Sequence, residues 1–190
     1  AYDAYVRSIC TAGDTTDYMN LVTFTTECNT ITSFPYTEGF EHAGNMPNCW
    51  SQSYVSGSHN WTFSAGDVEQ SEITAAHGGS YNALFAGESD DYVTKLISPV
   101  FDLTQVTNPY VSYWHAQPVW ISDQDTLAVY YRTSATGTWT YLRSFTSSIN
   151  TWTFDSIPLP NASATYQIAF QGYETYGYGV VLDDITVNGD

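Results

Sequence analysis

Apolar and polar positions along this chain recur with a period of two rather than 3.6. Val181, Asp183, Ile185 and Val187 alternate with Leu182, Asp184, Thr186 and Asn188, as in a strand whose side chains point to opposite faces in turn. Leu127, Val129 and Tyr131 share one face of another such segment, and Tyr166, Ile168 and Phe170 one face of a third. From residue 37 onward the pattern predicts ten strands, over 37–42, 60–64, 82–86, 93–101, 109–117, 126–133, 138–145, 151–158, 164–173 and 179–188. Turn residues separate them at fairly regular spacing, and Thr136-Gly137 marks a tight hairpin. Ala, Leu, Glu and Lys never combine into an amphipathic helical run. The expected fold class is all-β, a sandwich of two antiparallel sheets.

The first 28 residues have their own pattern. Residues 2–10 alternate, a polar loop follows, and Leu21-Val22-Thr23-Phe24-Thr25-Thr26 reads as a second strand. Residues 29–36 read as a linker and 37–190 as the main domain. A lone hairpin is marginal in water, so the first segment is expected to pack on a neighbour or to belong to a domain that is only partly included. The chain thus reads as a piece of something longer.

Composition narrows the function. Hydrophobic residues make up 43% of the chain, enough for a core, and aromatics 16%. The net charge of −16, with only four Lys and Arg, disfavours nucleic acid and anionic membranes as partners. No run of 18 apolar residues suggests a membrane-spanning helix. Three cysteines, Cys10, Cys28 and Cys49, predict one bridge and one thiol left over. Cys28 and Cys49 flank the linker and the first strand of the main domain, so a bridge between them would staple the two. In a hairpin of 2–10 with 20–27, Cys10 and Cys28 fall at opposite ends, roughly 20–25 Å apart at about 3.3 Å per residue, beyond disulfide reach.

Two acids pose a problem. Asp183 lies inside the last strand and Glu41 inside the first one predicted for the main domain. A buried carboxylate is costly unless it is paired or binds a metal, and Arg7, Lys95, Arg132 and Arg143 are the whole supply of cations. One calcium ion shared between the two ends would satisfy both acids and act as a structural clasp; hydrogen bonds from Glu41 and Asp183 to backbone and neighbouring hydroxyls, without metal, are the alternative. Signs of catalysis are weak. His77-Gly78-Gly79 lacks the G-x-S-x-G elbow that a lipase would need. His42, His59, His77 and His115 lack zinc spacing. The acid sets Glu69/Glu72, Glu88/Asp90/Asp91 and Asp123/Asp125 fall in apparent loops, where carboxylates are usually solvated. Trp114, Trp139 and Trp152 fall in strands and read as core, whereas Trp120, Tyr176 and Tyr178 fall in or beside loops and offer flat stacking surfaces for a ligand.

The markers come in a recognisable order: E-G-F-E (38–41), M-P-N-C-W (46–50), H-N-W (59–61), A-H-G-G-S-Y-N-A-L-F (76–85), K-L-I-S-P-V-F-D-L (95–103), P-Y-V-S-Y-W-H-A (109–116), D-T-L-A-V-Y-Y-R-T (125–133), T-Y-Q-I-A-F-Q-G-Y (165–173) and V-V-L-D-D-I-T-V-N-G (180–189). This resembles the MAM-type jelly roll, and more closely the bacterial cleaved-adhesin or choice-of-anchor modules attached to secreted proteases and surface proteins. Residues 1–28 resemble the last two strands of a fibronectin type III module. The resemblance implies a secreted or cell-surface, noncatalytic adhesion module with structural calcium, and a glycan or extracellular protein as ligand. The implied metal ligands are Glu41, Asp183 or Asp184, and main-chain oxygens around Gly39 and Gly79, with Asn60 a weaker candidate. An accessory spacer beside a catalytic domain is the alternative, and a jelly-roll glycoside hydrolase a more distant one.

Overall fold

The computed structural model describes residues 28–87 and 91–190 in full, and of residues 1–27 the backbone of 2–6, 9–11, 14–15 and 19–24. The side chain of Cys10, and Arg7, Glu88 and Asp90, lie outside the described residues. Strand β1 (Tyr2–Val6) pairs antiparallel with β4 (Met19–Phe24), Tyr2 opposite Phe24. Between them β2 (Ile9–Thr11) pairs with β3 (Asp14–Thr15).

The main domain is the expected sandwich. One sheet runs in the order β13 (Ile149–Pro158), β10 (Tyr110–Gln117), β15 (Val180–Asn188), β8 (Asn82–Phe85), β7 (Thr62–Ser64), and β5 (Tyr36–Glu38) also pairs with β15. The other runs β12 (Thr140–Phe145), β11 (Thr126–Arg132), β14 (Gln167–Tyr173), β9 (Val93–Ile97), β6 (Ser51–Ser56). Leu127, Val129 and Tyr131 of β11 meet Ile168 and Phe170 of β14 and Val111 and Tyr113 of β10 in one core, which also holds Phe40, Trp61, Phe85 and Phe101.

Several boundaries differ from the sequence reading for local reasons. The strand expected over 37–42 ends at Glu38, because Phe40 takes φ 59° and turns the chain. Strand β6 was not expected. It is an edge strand and mostly exposed, so little apolar alternation betrays it. Of its residues Gln52 points back, its side-chain oxygen accepting from Trp61 N–H at 2.6 Å. The expected disulfide is present: Cys28 is bonded to Cys49, with Cα atoms 5.6 Å apart. Trp114, Trp139 and Trp152 are half-buried rather than core; the tryptophans of the core are Trp50 and Trp61.

His115 is completely buried, its ring 4.0 Å from that of Phe145. Gln117 donates through Nε2 to Ser147 O, which turns its Oε1 toward His115 and makes Nδ1 of the imidazole the donor, at 3.0 Å. Nε2 has no hydrogen-bond partner among the described residues, and the ring is read as neutral. Burial pushes its pKa down from 6.5. Protonation therefore favours the unfolded chain, and stability is lost as the pH falls below about 6.5. In His115→Gln the slope of unfolding free energy against pH between about 6.5 and 5 should be shallower by up to one proton, as measured by urea titrations at several pH values.

Candidate functional site

The acids of the last strand are placed by a β-bulge. On β10 one residue, Tyr113, separates the partners of Thr186 and Asp183, whereas on β15 Asp184 and Ile185 lie between them. Asp184 carries the positive φ, 45°. The extra residue reverses the side-chain alternation. Val180 and Leu182 face the core before it, and Ile185 and Val187 after it. Asp183 therefore shares a face with Val181, which packs with Ile73 and Ala116 on the far side of the sheet, and not with Ile185 and Val187 as simple alternation predicted.

Asp183 is fully buried there. His77 N–H and Gly78 N–H donate to its Oδ2 at 2.9 and 3.0 Å, and Asp184 N–H to its Oδ1 at 2.7 Å. Burial pushes its pKa up to about 6 against the pull of these amides. The sequence argument favoured a shared metal over hydrogen bonds to the backbone; in the structure main-chain N–H groups partner the carboxylate. Glu41, expected inside a strand, is exposed in the loop after β5. Its Oε1 accepts from Ser80 N–H and Tyr81 N–H, both at 2.7 Å. The same turn is thus gripped from two sides by acids distant in sequence.

Asp184 completes the group. Its Oδ2 lies 2.6 Å from Nδ1 of His77, whose ring stacks on Trp114 at 3.8 Å. The glycines leave space for the carboxylates. A Cβ at Gly39 would lie 3.3 Å from Asp184 Oδ1, one at Gly78 2.7 Å from Asp184 Oδ2, and one at Gly79 2.4 Å from Glu41 Oε1. Glu38, not singled out from the sequence, accepts from Phe40 N–H at 2.7 Å and helps set the turn. Asn60 instead accepts from Tyr54 OH at 2.6 Å. Among the described residues no three Asp, Glu, His or Cys side chains converge as a metal-binding group. Glu41 and Asp184 nevertheless carry hard oxygens, the donor type calcium takes, although the turn presents N–H groups to Glu41 and Asp183. A cation here would rely on main-chain oxygens for much of its shell.

A second group lies where the β10–β11 and β14–β15 connections meet. Trp120 and Asp123 exchange two main-chain hydrogen bonds, at 3.1 and 2.8 Å, around Ile121 and Ser122. Ile121 is 82% exposed at φ 55°, a conformation that costs a β-branched residue about 1–3 kcal/mol. Tyr176 sits at φ 74°, and its ring is 5.5 Å from that of Trp120. Both rings are exposed. Tyr178, the third expected aromatic, is half-buried, its main chain tied to Pro118 O and to Val68 N–H.

Asp125 holds this tip together. It was expected to be a solvated loop acid, yet it is fully buried. Its Oδ1 accepts from Thr175 N–H and Gly177 N–H, and its Oδ2 from Gly179 N–H, at 2.7, 3.2 and 2.7 Å. Burial raises its pKa while these amides oppose the shift. Asp67 does the same for Ser71, Glu72 and Ile73 N–H. Glu69 and Glu72 are exposed.

The comparisons fit this architecture. The K1 cleaved adhesin domain of Lys-gingipain from Porphyromonas gingivalis W83 superposes with TM-score 0.62 at 21% identity, over 83% of this chain and 99% of that one. The K2 domain gives 0.61 at 24%, over 80% and 98%. TmCBM61, solved with β-1,4-galactotriose, gives 0.55 at 17%, over 80% and 94%. At these identities the likeness concerns the fold. No curated protein matches significantly. The family model for the MAM domain (meprin/A5/mu) matches residues 39–190. The chain belongs to the MAM domain family, and its jelly-roll fold is like that of the cleaved adhesin domains.

Proposed function

We propose that this chain is a noncatalytic adhesion module of a secreted or cell-surface protein, and that it binds a glycan at the Trp120–Tyr176 tip. The observation that carries this reading is the exposed ring pair on two strained loops that one buried carboxylate, Asp125, holds in place. Rigid aromatic rings supply contact area at low entropic cost, and backbone strain of this kind concentrates at ligand clamps. Support also comes from the solved neighbours, among them cleaved adhesin domains and a module holding a galactotriose.

In the same reading calcium stabilises the fold at the His77-Gly78-Gly79-Ser80 turn. Glu41, Asp184 and main-chain oxygens near Gly39 and Gly79 would hold it, with Asp183 behind them as anchor. The metal would tie β15 to the loop after β5, and its binding free energy would add to that of folding.

One experiment tests both parts. A glycan array probed in calcium and in chelator, beside melting curves, should show binding that Trp120→Ala or Tyr176→Ala reduces at least tenfold while the melting temperature holds. Calcium should raise the melting temperature by several degrees, and Glu41→Gln with Asp184→Asn should remove that rise. A module that binds no glycan with its tip intact is a spacer, and equal melting in chelator and calcium eliminates the metal.

A further inference from the structure

The charges of this molecule are segregated between its two sheets. None of the residues in β6, β9, β11, β12 and β14 is Asp or Glu, yet these strands hold Lys95, Arg132 and Arg143. The chain as a whole has 20 acids and four Lys and Arg. The six-stranded sheet has the opposite sign, with Glu38, Asp155, Asp183 and Asp184 and no Lys or Arg. Arg143 is paired with Asp155 at 2.5 Å. Among the described residues neither Lys95 nor Arg132 forms an ion pair with a carboxylate.

Both of these cations lie on the outer face of the five-stranded sheet, because their strand neighbours Leu96 and Tyr131 face the core; Arg132 is half-buried and Lys95 is buried beneath its neighbours on that face. The Lys95 ammonium donates to Gln171 Oε1 and sits 4.6 Å from the centre of the Tyr130 ring. Arg132 donates through Nε and Nη2 to Gln167 Oε1, at 3.0 and 2.6 Å, and its guanidinium lies 4.5 Å over Trp139. Gln167 Nε2 in turn donates to Ser98 O at 2.9 Å, which fixes the amide. Arg132 is thereby oriented with Nη1 left over. Tyr130 meets Tyr141 edge-on at 5.8 Å, and Tyr141 is 55% exposed. From β9 to β12 the strip crosses three strand spacings, about 14 Å, the reach of a short oligosaccharide.

We propose that this outer sheet face is a binding surface for a uronate-bearing glycan, whose carboxylate pairs with Arg132 over the positive charge of the buried Lys95, while its sugar rings stack on Trp139, Tyr130 and Tyr141. The inference rests on the glycan-binding reading above and gives it a second surface and a ligand class. Charge complementarity argues for an anion, since two cations are kept clear of carboxylates in a molecule rich in them. A glycan suits the face better than an acidic protein surface or a second copy of this chain. A strip about 14 Å long matches a short oligosaccharide, whereas a stable protein interface covers about 800 Å² on each partner.

The test is calorimetry on the full chain with oligogalacturonate, oligomannuronate, glucuronate-substituted xylo-oligosaccharide and neutral β-1,4-galactotriose. At least one uronate ligand should bind with an affinity that falls as salt is raised. Arg132→Gln should weaken it about tenfold or more, the scale of one charge-assisted hydrogen bond, and Lys95→Met should act in the same direction. Trp120→Ala should leave this affinity unchanged. Binding of galactotriose alone, lost in Trp120→Ala and kept in Arg132→Gln, would overturn the inference and leave the tip reading standing. Binding of no sugar by a folded chain would overturn both. Salt-sensitive self-association that Arg132→Gln abolishes, without uronate binding, would assign the face to a second copy and also overturn it.

Discussion

Replacing Asp183 by alanine should lower the stability of the domain by about 3 kcal/mol, the scale of leaving buried N–H groups without an acceptor and opening a small cavity. The N–H groups of His77 and Gly78 lose their acceptor, and Asp184 N–H loses its own. The bonds from His77 and Gly78 span more than a hundred residues of sequence, so β15 loses its hold on the turn that Glu41 also grips. Asp183→Asn keeps one acceptor oxygen and sheds the charge that burial penalises, so its loss should be smaller, about 1 kcal/mol. Urea titrations of the two variants provide the measurement. Equal and negligible losses would mean that the carboxylate does not hold the turn.

The second large effect is expected at Asp125. Alanine there leaves three amides without their acceptor, those of Thr175, Gly177 and Gly179. A loss of about 2–4 kcal/mol follows from partial rehydration of the freed loop. The functional consequence should exceed the thermodynamic one. With the anchor gone, Tyr176 is free to leave φ 74° and its place 5.5 Å from Trp120. Glycan affinity at the tip should fall at least tenfold at a temperature where the variant remains folded, as judged by circular dichroism. Unchanged affinity would show that the ring pair is rigid without Asp125 or is not the site.

The sandwich was legible because its central strands bury one face completely. Leu127, Val129 and Tyr131 announce β11, and Ile168 and Phe170 announce β14. Edge strand β6 has almost no apolar pattern to read. The bulge at Asp184 was not visible either, since V-V-L-D-D-I-T-V alternates acceptably in either register. The acids at residues 41 and 183–184 meet at the glycine turn. Backbone partners were one reading of these acids, but which amides would meet them was not legible, because an amide donor has no residue type to recognise. Asp125 shows this most clearly: its partners lie fifty or more residues away, and two of them are glycines.

The Cys28–Cys49 bond has a mechanical consequence when the chain is pulled. A pull on the chain ahead of Cys28 crosses the sulfur bridge directly to Cys49. Residues 29–48 form a slack bypass, and with them β5, whose pairing to β15 is spared the tension. Force first reaches the sandwich at Trp50 and then at β6, an outermost strand held along one side by β9. Reduction would reroute the same pull through β5 into the middle of the six-stranded sheet. In single-molecule extension the oxidised chain should therefore lengthen less on unfolding, by roughly the contour of twenty residues at about 3.5 Å each.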